Sequence, residues 1–174
     1  RMSEARLRAN QLPKVKTRLY DLDFEILKWY TQAVANQSTE AQLRAMAAQN
    51  NIAGQLALSK FYLQQGDYSQ AQFSLDVVKP KLKTHVLLAL IQTDIYLGQN
   101  KLDLAAKSIT AMQKTMPENR ALAYKFAEVL IQQGDIAQAQ RLVQRFVHKN
   151  QRDIQGWQLL QQATNLDKSS ALQS

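Results

Sequence analysis

His85 and His148 are the only imidazoles in this chain of 174 residues, and they lie far apart in sequence. A helical zinc-peptidase centre needs two histidines one turn apart, with a glutamate between them to act as general base. No His-Glu-x-x-His occurs here. Cysteine is absent, which removes thiolate zinc sites, disulfides and a sulfur nucleophile. There is no Gly-x-Ser-x-Gly elbow to expose a serine on a strained turn, and no glycine-rich loop to cradle phosphate. His85 falls at a junction between two helical units and His148 at the basic end of a helix, so both read as surface or capping residues. No catalytic residue, metal site or cofactor is expected within these residues. The chemistry left to them is recognition.

The residues placed to recognise something are Lys60 and Gln64, Leu90 and Asp94, then Tyr124, Glu128 and Gln132, and finally Gln158 and Gln162. They occupy first-helix positions of a repeated unit that would face a shared groove. Gripping a peptide C-terminal carboxylate would need a cation with asparagine partners, and only Lys60 approximates that, so such a clamp is disfavoured. The amides suit hydrogen bonding to the backbone of an extended polypeptide, with little sequence preference. The competing reading is that these are ordinary solvated groove residues.

The elements that must position this set follow from a period. Ala71, Ala105 and Ala139 sit 34 residues apart, the repeat length of the tetratricopeptide helix–turn–helix unit. With units at 52–85, 86–119 and 120–153, position 11 holds Tyr62, Tyr96 and Leu130, and the turn position holds Gly66, Asn100 and Gly134. Position 24 holds Leu75, Ile109 and Val143, and position 27 holds Val78, Met112 and Phe146. Pro117 and Trp157 stand where the consensus has its proline and its tryptophan. A small residue at position 20 lets the two helices of a unit approach closely. The large apolar residues force neighbouring units to stack, because no unit can bury its face alone. Gly or Asn at the turn leaves the helix in a left-handed conformation at least cost. Asp67 and Asp135 can then cap the helix that follows.

The expected fold is therefore an all-α, tetratricopeptide-type solenoid of helical hairpins, winding as a right-handed superhelix with first helices lining the concave face. Helices are expected at 52–64, 70–79, 86–97, 102–115, 119–132, 137–149 and 153–164, with a fraying tail from Asp167 to Ser174. Residues 18–51 read as a degenerate hairpin, its second helix opened by Ser38 or Thr39 and running to about Ala48. Residues 154–174 read as an unfinished fourth unit. The chain opens mid-pattern at Arg1, as a piece of a longer protein would.

Residues 1–17 read as a basic opening helix and linker, stopped by Pro13. Arg1, Arg6, Arg8, Lys14, Lys16 and Arg18 face the single acid Glu4, and they account for much of the formal charge of +8. Such an arm can dock on nucleic acid, anionic lipid or an acidic neighbouring domain. No aromatic residues interleave with its charges, so base stacking is not indicated and nucleic acid is not the expected partner. Apolar content of 45% is ample for a core, yet no apolar run reaches the ~20 residues that cross a bilayer.

Three stretches go beyond the repeat consensus: Arg6-Leu7-Arg8-Ala9-Asn10-Gln11, Thr93-Asp94-Ile95-Tyr96-Leu97-Gly98-Gln99-Asn100-Lys101, and Gly156-Trp157-Gln158-Leu159-Leu160. With them, most of the chain resembles the C-terminal half of BepA-type (β-barrel assembly-enhancing) zinc metalloproteases. The resemblance implies a non-catalytic interaction domain in the periplasm. That domain would follow a zinc protease domain, pack against or partly cover it, and bind outer-membrane protein clients or the machinery that assembles them. Zinc would belong to the protease domain, and its ligands have no counterpart here. The alternative is a free-standing repeat scaffold in pilus, secretion or another multiprotein assembly.

Overall fold

The computed structural model describes residues 39–49, 51–82 and 85–171, with side chains described as far as residue 166. Eight helices lie among the described residues: α1 Glu40–Ala48, α2 Ile52–Gln64, α3 Tyr68–Val78, α4 Val86–Gly98, α5 Leu102–Thr115, α6 Arg120–Gln133, α7 Ile136–Val147 and α8 Ile154–Ala171. They pack as consecutive antiparallel hairpins, α2 with α3, α4 with α5 and α6 with α7. Each first helix also packs on the first helix of the next unit. The fold is an all-α helical-hairpin solenoid. The basic arm (Arg1, Arg6, Arg8, Lys14, Lys16 and Arg18) and the first helix of the degenerate hairpin lie outside the described residues.

Local chemistry sets each boundary. Gly66, Asn100 and Gly134 take φ values of 77°, 55° and 84°, so all three within-unit turns pass through the left-handed region. Asp67 and Asp135 accept hydrogen bonds from the Gln70 and Gln138 amides at 3.0 and 3.1 Å, opening α3 and α7. Because Asp67 is the cap, α3 starts at Tyr68, earlier than its apolar pattern alone indicates. Thr39 opens α1 through a capping box with Gln42. A second 34-residue series, absent from the apolar pattern, opens the first helices. Asn51, His85, Asn119 and Asp153 are the N-terminal caps of α2, α4, α6 and α8.

Ala71, Ala105 and Ala139 are wholly buried, as the close approach of paired helices requires. Opposite Ala71, the Ser59 hydroxyl donates to the Ala71 carbonyl at 2.7 Å. The core forms three successive clusters rather than one centre. The first joins α1 to α4 and includes Leu56, Leu75 and Ile91. The next joins α4, α5 and α6 through Ala89, Ile109 and Val129. The last joins α6, α7 and α8 through Tyr124, Val143 and Leu159. Helices α4 and α6 each supply residues to two clusters, which is how a solenoid propagates order.

One boundary departs clearly from expectation. Helix α8 continues to Ala171 instead of ending near residue 164, so the tail does not fray from Asp167. Neither Gly nor Pro follows Gly156, and nothing local stops the helix.

Candidate functional site

Position 9 of the repeat places Lys60, Asp94, Glu128 and Gln162 on α2, α4, α6 and α8. The first three form a charge ladder across the stacked first helices. Lys60 Nζ lies 3.1 Å from Asp94 Oδ2, and Lys125 Nζ lies 2.7 Å from Asp94 Oδ1. The Lys125 ammonium also bonds Glu128. Burial opposes the charge on Lys125, but the Asp94 and Glu128 carboxylates outweigh it and raise its pKa above the ordinary lysine value. Two cations thus meet two anions along the floor of this face, and the floor neutralises itself. Lys125 is absent from the sequence-derived set. The signal for it was the alternating charge at 34-residue spacing, with Lys125 one helical turn before Glu128.

Beside the ladder, Gln64, Gln132, Gln158 and Gln162 are exposed. Gln158 and Gln162 join Gln161, Asn165 and Leu166 around a shallow depression of about 420 Å³ on α8. Leu90 is half-buried against the second core cluster. The remaining member of the set is corrected: Tyr124 is 1% exposed and does not line an open groove. Its ring packs edge-on against Phe146, with centroids 5.9 Å apart. Its hydroxyl donates to Asp153 Oδ2 at 2.8 Å.

Asp153 is itself buried. It accepts Arg120 at 2.9 Å and the Gly156 amide at 3.1 Å as well as the phenol. A Cβ on Gly156 would strike the Tyr124 phenol and Val147, so the close passage of α8 over α6 requires glycine there. Burial would raise the Asp153 carboxyl, yet the Tyr124 and Gly156 hydrogen bonds and the Arg120 charge hold it below the ordinary aspartate value. The Tyr124 phenol is pushed up to about 12, first by burial and then by its bond to Asp153.

His85 Nδ1 accepts the Leu87 amide at 3.1 Å, and His148 is the C-terminal cap of α7. Both are capping residues. Among the described residues, no three His, Asp or Glu side chains gather as metal ligands, and the histidine pair of a zinc-peptidase motif is missing from the sequence. Among the described residues, no helix is long and apolar enough to cross a membrane.

Stacked hairpins joined by left-handed Gly or Asn turns, with buried alanines at the crossings, define a helical repeat module of the tetratricopeptide type. Residues 96–163 match the tetratricopeptide repeat family model, a module of protein–protein interaction. Over 170 residues the chain is 26% identical to the Beta-barrel assembly-enhancing protease of Escherichia coli (strain K12). The proteins of the same name from Shigella flexneri and Escherichia coli O157:H7 match equally. Each match covers 94% of this chain and 34% of the relative, so the chain spans about a third of the length of the curated relatives it matches. No solved structure matches the chain.

Proposed function

We propose that this chain is the polypeptide-binding domain of a larger periplasmic protein in which a zinc protease domain acts on misassembled outer-membrane proteins. The first-helix face holds an extended segment of a client, or of the assembly machinery, while the catalytic chemistry resides elsewhere in that protein. The observation carrying this reading is the row of exposed glutamines flanking a charge ladder that is already satisfied. Lys60 is engaged by Asp94, and Asp94 by two lysines, so selection by charge is weak on this floor. Amides that both donate and accept can meet backbone N–H and C=O groups along an extended chain. The likeness to proteases named for β-barrel assembly supports the choice of client.

The test is photo-crosslinking in cells, from a benzophenone side chain placed at Gln132 or Gln158, with exposed Arg141 on α7 as control. Crosslinks from both glutamine positions to unassembled outer-membrane β-barrel proteins or their assembly machinery, and none from Arg141, are expected. Adducts only to unrelated soluble proteins would move the reading to a free-standing scaffold. Equal labelling from Arg141 would remove the first-helix face as the site.

A further inference from the structure

A slot of about 520 Å³ opens between α3 and α5, within the usual size range of binding pockets. Its floor is the side of α4 that carries Leu88, Gln92 and Tyr96. At about 100° per residue these lie away from Asp94, so the slot and the charge ladder occupy different faces. Leu104, Lys107, Ala111 and Met112 of α5 form one wall, and Lys79, the C-terminal cap of α3, lines the slot from a different helix. Gln92 is buried and satisfied by reciprocal bonds with Gln72 at 2.7 and 3.2 Å.

The residues that line the opening on α5 change one period later. One period later, α7 carries Leu142 and Arg145 where α5 carries Ser108 and Ala111. There the Arg145 guanidinium donates to the Pro117 carbonyl at 3.1 Å. On α5 the residues at these positions, Ser108 and Ala111, are small and line the slot. The rim is positive. Both lysines are exposed and no carboxylate lines the slot. Lys79 has only a 3.9 Å contact with Asp76, and Lys107 has no ion pair among the described residues.

We propose that this slot binds a segment of a partner polypeptide in which large apolar side chains are flanked on both sides by carboxylates. The apolar side chains would bury against Leu88, Tyr96 and Met112, and the two acids would meet Lys79 and Lys107 on different helices. Two cations on separate helices fit two flanking acids, whereas a fatty acid presents a single headgroup. This site is independent of the first-helix face, so the two readings stand or fall separately.

The probe is the end-blocked pentapeptide Glu-Leu-Phe-Leu-Glu, titrated into the methyl-labelled 174-residue chain at low salt. Saturable shifts at the Leu104, Ala111 and Met112 methyls are expected. Lys107→Gln should weaken binding roughly five-fold, the scale of one exposed ion pair, and replacing both peptide acids by glutamine, which removes two, should weaken it further. Ala111→Arg, which puts a long charged side chain into the slot, should abolish it while helix content is retained. If Ala111→Arg unfolds, the Lys107→Gln and neutral-peptide arms decide alone. Shifts confined to α2 and α6, undiminished affinity in Lys107→Gln, or equal binding of the neutral peptide would overturn the proposal. So would tighter binding of laurate, which would reassign the slot to a lipid anion. Concentration-dependent shifts at the same methyls without peptide would reassign it to a second copy of the chain.

Discussion

Asp153 gathers three donors, the Tyr124 phenol, the Arg120 guanidinium and the Gly156 amide, at the point where α8 docks on α6. Asp153→Ala leaves a buried phenol without an acceptor and removes a helix cap. The expected loss is about 2–4 kcal/mol, read from urea midpoints. Tyr124→Phe removes one donor and leaves the carboxylate bonded, so its loss should be smaller. The linkage has a definite sign. A carboxyl held below its unfolded value contributes stability that is complete above about pH 5 and is lost as pH falls through the folded value. Between about pH 5 and pH 2, Asp153→Asn should therefore lose less stability than the parent; parallel curves would refute the assignment. At the alkaline end, tyrosinate absorbance should show a component near 12 that Tyr124→Phe removes. The cap at Asp153 was readable in advance, since acceptors recur 34 residues apart at Asn51, His85 and Asn119. Its meeting with Tyr124 was not. The repeat position of Tyr124 indicates the groove, and only the docking of α8 turns that surface into interior.

Hairpins were the most legible elements, because turn, cap and crossing residue all repeat with one period. Ala139 illustrates how little freedom a crossing has: it is wholly buried where α6 and α7 meet. Ala139→Leu adds volume with nowhere to go, and the expected cost is about 1–3 kcal/mol by chemical denaturation. The same substitution at exposed Ala111 on α5 should fall within about 0.5 kcal/mol. An equal loss at both sites would mean that helix propensity, not packing, controls the hairpins. The end of α8 was less legible, because polar residues in a closing stretch read equally as tail or as solvated helix. Only the absence of Gly and Pro pointed to the helix that forms.

On the scale of the whole molecule, stability is passed between neighbours, since α4 and α6 each belong to two of the three core clusters. The ladder of Lys60, Asp94, Lys125 and Glu128 spans these same seams. Its members come from three helices, so it could not be read until the stacking register was known, although its residues share the period that defines the fold. Lys125 is the joint: its side chain is 18% exposed and bonds one carboxylate on α4 and another on α6. Lys125→Met keeps most of the stem packing and leaves Asp94 with Lys60 alone. A partly exposed network of this kind should cost about 1–2 kcal/mol, below the 3–5 of a fully buried pair. In a chain of nearest-neighbour couplings, that loss falls on one interface rather than on every unit. Amide exchange should then separate into two blocks, α1 to α4 and α6 to α8, that open at different free energies where the parent shows a graded pattern. A uniform drop in protection across all helices would mean instead that the chain opens as one cooperative body and that the ladder does not join its halves.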